Sequence, residues 1–178
     1  TKMAFEFEIL DYIQTLHRPL LDKMMVFITS LGNAGIIWIL LGVVLICIKK
    51  YRPCGIAVLF SLVLGLIIGN GILKSLIARD RPCWIRTDGL LLIASPKDYS
   101  FPSGHTLASF EAAAALFVFK KSWGIAAAVL GGLIAFSRMY LYVHFPTDIL
   151  AGILLGILFG TVSALVVRRF YTKSVLTR

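Results

Sequence analysis

The sequence predicts an all-α fold: a polytopic transmembrane helical bundle of about five spans, with an amphipathic helix at its N-terminus. Three observations carry this. Of the 178 residues, 58% are hydrophobic. The mean hydropathy is +0.88, which makes a soluble globular domain or a disordered chain a poor description. Charged residues are only 15%, against roughly 25% in an average soluble domain, and they stand as islands between long apolar runs. At about 20 residues per crossing, the apolar content suffices for about five spans. The net charge of +9 does not by itself indicate nucleic acid, because that reading needs a solvated basic face.

Residues 4–18 place Phe5, Ile9, Tyr12, Ile13 and Leu16 at helical spacing with Glu6, Glu8 and Asp11 elsewhere, which predicts a helix lying on the membrane surface or on the bundle. Pro19 ends it. Residues 20–31 read as a short mixed helix whose Asp22 and Lys23 argue against a full span. Spans are expected at about 34–48, 55–78, 103–119, 123–141 and 147–167, separated by KKYRP at 49–53 and KKS at 120–122. Gly65, Gly69, Gly71, Gly131, Gly132, Gly152, Gly156 and Gly160 inside them suit close helix packing in lipid. The whole chain, 1–178, reads as one membrane-embedded domain: interfacial helices over 1–33, a transmembrane core over 34–167 and a tail at 168–178. No cleavable signal peptide is expected, since the N-terminus is acidic and lacks an apolar stretch before a small-residue site. Cys47, Cys54 and Cys83 form neither a metal-ligand spacing nor a disulfide framework.

Five spans put residues 1–33, 79–102 and 142–146 on one side. The other side holds nine cations and no acid: Lys49, Lys50, Arg52, Lys120, Lys121, Arg168, Arg169, Lys173 and Arg178. The positive-inside rule makes that second side cytoplasmic and the first extracytoplasmic.

Ionisable groups at membrane depth are functional candidates, and three clusters fall at first-side helix ends. Lys74, Arg79, Asp80, Arg81 and Pro82 close the second span. FPSGHT (101–106) opens the third. Ser137 and Arg138 end the fourth, and His144 and Asp148 lead into the fifth. All three can converge on one pocket. Lys74, Arg81 and Arg138 suit a multiply charged anion, and Arg offers donors that match phosphate oxygens. Ser103 near an N-cap and Gly104 beside it predict a helix start that seats phosphate, with His105 in its first turn. His144 and Asp148 are spaced so that the carboxylate can fix the imidazole tautomer and leave the other nitrogen nucleophilic. Two histidines with different neighbours suit one nucleophile and one general acid. No Asp, Glu and His set has metal-ligand spacing, so no metal and no cofactor are expected.

KSLIARDRP (74–82), PSGH (102–105) and SRMYLYVHFPTD (137–148) resemble the three signature motifs of the type-2 phosphatidic acid phosphatase superfamily, the lipid phosphate phosphatases. The resemblance implies His144 as the nucleophile of a phosphohistidine, Asp148 as its orienter and His105 as the acid that protonates the leaving oxygen. It implies Lys74, Arg81, Ser103, the Gly104 backbone and Arg138 as the phosphate cradle, without a metal. Many members have six spans, one more than is expected here. The implied substrate is a membrane lipid phosphate or diphosphate in the cell membrane, worked on at its extracytoplasmic face. The compact chain resembles bacterial members acting on undecaprenyl diphosphate, with phosphatidylglycerophosphate, phosphatidate and lipid A phosphates also open. A phosphotransferase and a non-catalytic lipid-phosphate binder or transporter are the alternatives; nucleic acid is not an expected partner.

Four further expectations concern single features. Arg79 and Asp80 pair with each other. His17 is interfacial. Glu111, about 120° around the helix from His105, either makes an interhelical hydrogen bond or serves in a proton relay. Residues 79–102, with Trp84, Leu90, Leu91, Leu92, Ile93 and Phe101, form either a lip for lipid entry or a loop packed over the bundle.

Overall fold

The computed structural model describes residues 2–89 and 91–176, with the side chains of residues 3–89 and 91–171. Thr1, Leu90 and Arg178 lie outside the described residues, as do the side chains of Lys2 and Lys173; Lys173 and Arg178 are two of the nine cations counted above.

The described residues are helical throughout their regular structure. Helix α1 is Lys2–Gln14 and α2 is Pro19–Leu31. A 3-10 turn, Asn33–Gly35, joins α2 to α3 (Ile36–Cys47). Gly35 and its neighbour Ala34 take positive φ there, 67° and 51°; glycine adopts that conformation at no steric cost, whereas alanine does so only under constraint. The break bends α2 against α3 by 43°, and the two together are long and apolar enough for one broken span. The expectation that residues 20–31 take no part in a crossing is therefore revised: Asp22 and Lys23 sit in the first turns of α2, and the apolar remainder continues into α3.

Helix α4 (Arg52–Leu64) widens into a π-helical stretch, Gly65–Leu73, and re-tightens as α5 (Lys74–Ile77). Ala78, also at positive φ (46°), ends it. A short α6 (Pro82–Ile85) and a loop lead to α7 (Gly104–Phe119), α8 (Lys121–Tyr140) and α9 (Pro146–Leu176), the last running past its expected end. Three stretches, Lys49–Ile85, Lys121–Tyr140 and Pro146–Tyr171, are each long and apolar enough to cross a bilayer. The α2–α3 pair makes a fourth, and α7 is apolar but only 16 residues long.

Helix α7 is the centre of the bundle. Eight of its residues are buried, including Ala112, Ala113, Ala115 and Leu116. The glycines of α9 bring its backbone against that of α7: a Cβ on Gly156 would lie 2.8 Å from the Leu107 carbonyl, and one on Gly160 2.3 Å from the Glu111 carbonyl. Trp38, Leu45, Val58, Leu116 and Ile134 belong to the main core.

Helix α1 packs on the bundle through a face only partly the expected one: Ile9 and Ile13 of the predicted stripe pack inward. Phe5 and Tyr12 are exposed, while Glu6, Phe7, Leu10 and Ile13 are buried. Phe7 and Leu10 pack with Tyr142 and Phe145; the polar partners of Glu6, described below, fix the rotation. Leu91, Leu92 and Ile93 pack against the cluster of Ile13, Met25 and Tyr140, so the 79–102 loop covers the bundle. His17 stacks on Tyr140 with 4.4 Å between ring centroids and faces Asp22 at 3.1 Å.

Candidate active site

Helix order sends the C-terminal end of α5, the N-terminus of α7, the C-terminus of α8 and the N-terminus of α9 to one end of the bundle. The basic segments at 49–52 and 120–121 lie at the other. The three clusters meet at the first of these ends. Lys74, Arg81, Gly104, His105, Arg138 and His144 all line one cavity of about 600 Å³. Ser103 and Asp148 are fully buried behind it, tied together by a hydrogen bond from the Ser103 amide to the Asp148 carbonyl at 3.2 Å. Ser103 occupies the N-cap position of α7, as its place before Gly104 suggests. Its side chain makes no capping hydrogen bond and instead accepts one from Thr106 Oγ1 at 3.0 Å. The N-terminal amides of α7 are thus left for a ligand, which favours an anion there.

His144, buried in the loop between α8 and α9, is held at both ring nitrogens. Arg81 Nη1 lies 3.0 Å from Nε2. Nδ1 faces Ser100 Oγ at 3.4 Å and Asp148 Oδ2 at 3.6 Å. The Asp148–His144 pair is thus longer than a direct hydrogen bond, and Ser100, which donates to Asp148 Oδ2 at 2.5 Å, stands beside it. Burial, reinforced by Arg81 and Arg138 and opposed by Asp148, pushes the His144 imidazole down to about 3, so it is neutral, with its Nε2 lone pair accepting from Arg81. His105 is placed by Asn33 Oδ1, 3.0 Å from its Nε2, across the bend between α2 and α3. Arg138 Nη1 donates to Thr29 of α2 at 2.7 Å, and its Nε has no partner.

Several groups at the site lie outside the motif positions. Asp98 bridges two cations of the cavity: Lys74 Nζ donates to Oδ2 at 2.5 Å and Arg81 Nη2 to Oδ1 at 2.9 Å. Burial alone would raise this carboxyl, but Lys74 and Arg81 hold it down at about 2. Arg81 also donates to the carbonyls of Asp98, Tyr99 and Val143, which fixes its plane. Asp148 accepts from Phe145 N at 2.9 Å and from Arg79 Nη1 at 2.7 Å. Arg79 does not pair with Asp80. It joins Asp148 to Glu6 of α1 (2.5 Å) and to Thr147, with its guanidinium 4.0 Å from the Phe145 ring. The charged turn after α5 reverses direction at Ala78, and this aims Arg79 inward. Glu6 in turn accepts from Thr147 N and Oγ1. The acids set among apolar residues in 4–11 were the one sign in the sequence that α1 carries a polar contact. Among the described residues no three His, Cys, Asp or Glu side chains converge.

A pocket of cations and two imidazoles at a helix N-terminus can bind a phosphate group and offer it a nucleophile and, on the imidazole that the phosphate's charge lets protonate, a proton donor. Comparison with known proteins agrees with that chemistry. The chain is 34% identical over 158 residues to an undecaprenyl-diphosphatase of Sulfolobus acidocaldarius, covering 86% of this chain and 74% of that one. It is 32% identical over 155 residues to phosphatidylglycerophosphatase B of Bacillus subtilis, covering 80% and 73%. Its fold is similar to the crystal structure of a transmembrane PAP2-type phosphatidylglycerolphosphate phosphatase from Bacillus subtilis, with a TM-score of 0.74 at 28% identity over 96% of this chain and 86% of that one. The family model that describes the PAP2 superfamily matches residues 55–172, about two thirds of the sequence. The chain, a multi-pass helical membrane protein, belongs to the PAP2 superfamily of lipid phosphatases.

Proposed function

We propose that the protein hydrolyses the phosphate or diphosphate ester of a membrane lipid through a phosphohistidine on His144. One observation carries the reading: a neutral imidazole whose Nε2 lies 3.0 Å from the guanidinium of Arg81, inside a cavity that Lys74, Arg138 and His105 also line. A phosphate gripped by Arg81 is thereby set beside the nucleophile. Once the bound phosphate has drawn Arg81 off Nε2 and its charge has let His105 take up a proton, Nε2 attacks the terminal phosphorus with Nδ1–H turned toward Asp148 and Ser100, the bond from that phosphorus to the leaving oxygen breaks, and protonated His105 gives its proton to that oxygen. Water, giving its proton to His105, then attacks the phosphorus on Nε2 and releases inorganic phosphate. Lys74, Arg81, Arg138, the Gly104 amide and buried Ser103 form the cradle that stabilises the equatorial oxygens. These cations do the work that a metal does in other phosphatases, so full turnover is expected in EDTA.

The basic segments at the opposite helix ends favour an active site at the extracytoplasmic face of the cell membrane. Relatives are named for two lipid classes, undecaprenyl diphosphate and phosphatidylglycerophosphate. The test is a phosphate-release panel on purified protein in detergent. It uses a polyprenyl diphosphate, phosphatidylglycerophosphate, phosphatidate and a lipid A phosphate, each with and without EDTA and an acceptor lipid. Release from at least one lipid that survives EDTA and is abolished by His144→Ala and His105→Ala is expected. Strict dependence on a divalent ion, transfer to the acceptor in place of release, or binding unchanged with no turnover would each overturn the reading.

A further inference from the structure

The catalytic cavity continues past the phosphate cradle into the bundle, and its far part is not uniformly apolar. Leu59, Leu62 and Leu66 line it there, as expected for a hydrocarbon tail, but so does Glu111. Glu111 is only 1% exposed, and its Oε1 has no hydrogen-bond partner. No cation pairs with it among the described residues. The space for it is built: it faces Gly65, at the start of the π-helical stretch, where a Cβ would lie 2.1 Å from Glu111 Oε1. A second orphan lies between this carboxyl and the cradle. Asn70 Oδ1, also buried without a partner, lines the same cavity beside Gly104, where a Cβ would lie 2.9 Å from it. The cavity therefore has a charged head at Gly104, an amide beside it and a lone carboxyl two turns further down α7, about 10 Å along the axis.

Orphaned polar groups in an apolar wall are costly unless a ligand satisfies them. For Glu111 the phosphate cannot be that ligand, since it sits at the cradle. A carboxyl without a cation is tolerated in such a wall as the acid, which presents an O–H donor.

We propose that Glu111 forms an uncharged subsite for the ester linkage of a glycerol-based lipid, its O–H donating to an ester carbonyl while the phosphate occupies the cradle. This rests on the lipid phosphatase reading and sharpens it. In a diacylglycerol phosphate the ester carbonyls follow the phosphate within a few bonds, whereas a prenyl chain presents only hydrocarbon there and leaves Glu111 unsatisfied. The site therefore ranks glycerolipid phosphates above prenyl phosphates, the reverse of what the compact chain suggested.

The experiment compares kcat/KM for three lipid monophosphates in mixed micelles: dioleoyl phosphatidate, its dialkyl ether analogue and a prenyl monophosphate. A water-soluble aryl phosphate reports the catalytic residues alone. Wild type is expected to favour the ester lipid about tenfold over both others, the value of one buried hydrogen bond. Glu111→Leu is expected to remove that preference while keeping aryl phosphate turnover, and Glu111→Gln, which keeps an N–H donor, to retain most of it. Equal rates on ester and ether lipids in the wild type would overturn the proposal without any variant being needed. So would a Glu111→Leu variant that keeps the ester preference. If no lipid is hydrolysed while aryl phosphate is, the lipid phosphatase reading itself fails.

Discussion

Arg79 holds the cavity end of the bundle to the N-terminal helix, and its replacement by leucine is a sharp test of how Asp148 is positioned. The side chain is one-fifth exposed, Glu6 one-tenth and Asp148 not at all. Arg79→Leu leaves two buried carboxylates without their shared cation, which costs about 3–5 kcal/mol for a broken buried pair. Both keep other donors, Ser100 and Phe145 N for Asp148 and Thr147 for Glu6, so the expected loss is near the lower end, about 3 kcal/mol. The freed Asp148 carboxylate no longer fixes the His144 ring, and a misplacement on the order of 1 Å lowers kcat about a hundredfold. Arg79→Lys supplies one point charge for two carboxylates and recovers only part. Glu6→Gln keeps the acceptor for Thr147 and is milder, about 1 kcal/mol. The assays are thermal unfolding in detergent and kcat on a soluble phosphate ester, combined in a Glu6/Arg79 double-mutant cycle. A coupling of at least about 1 kcal/mol is expected. Strictly additive effects, or an Arg79→Leu variant within twofold of wild-type kcat, would refute the reasoning.

Acid is expected to weaken the fold through two groups. The unfolded chain binds a proton at His144 that the native state refuses, so stability declines as pH falls below 6.5 toward about 3. The Asp98 carboxyl is held at about 2 against 3.8, so its contribution is present above pH 4 and disappears as pH falls through 2; Asp98→Asn flattens that last limb in a series of melts against pH. Histidine-selective NMR at pH 5 is expected to show His144, identified by the resonance missing in His144→Ala, still unprotonated; a protonated ring would contradict its placement. Gly65→Ala drives a Cβ into Glu111 and is expected to destabilise by about 1–3 kcal/mol. Gly132→Ala, which meets nothing within 4 Å, is neutral or stabilising by a few tenths of a kcal/mol in the same melts.

The helices and the meeting of the motifs at one end were legible because hydropathy and punctuation are local. Lys74, Arg81, Gly104, His105, Arg138 and His144 could be placed together by counting spans alone, and the structure gives them one cavity. What was not legible is who partners whom. Apolar spacing put Phe5 and Tyr12 on the packed face of α1, yet a buried carboxylate outweighs an aromatic ring in fixing a helix rotation, and Glu6 faces inward. The adjacency of Arg79 and Asp80 suggested a pair, but the reversal at Ala78 sends Arg79 to residues 73 and 69 positions away. Asp98, Ser100 and Asn33 carry no spacing signal; only the loop path and the α2–α3 bend bring them to the site. The π-helical widening at Gly65–Leu73 was visible as glycines, but its effect, room for Glu111, depends on α7 lying opposite.

The central claim is covalent catalysis at His144, and rapid acid-free quenching during turnover of a radiolabelled lipid phosphate tests it most directly. The account predicts label on the protein that is stable to alkali, labile to acid, mapped to His144 and absent from His144→Ala. Label that persists in His144→Ala, or wild-type turnover with no labelled protein at any quench time, would contradict it.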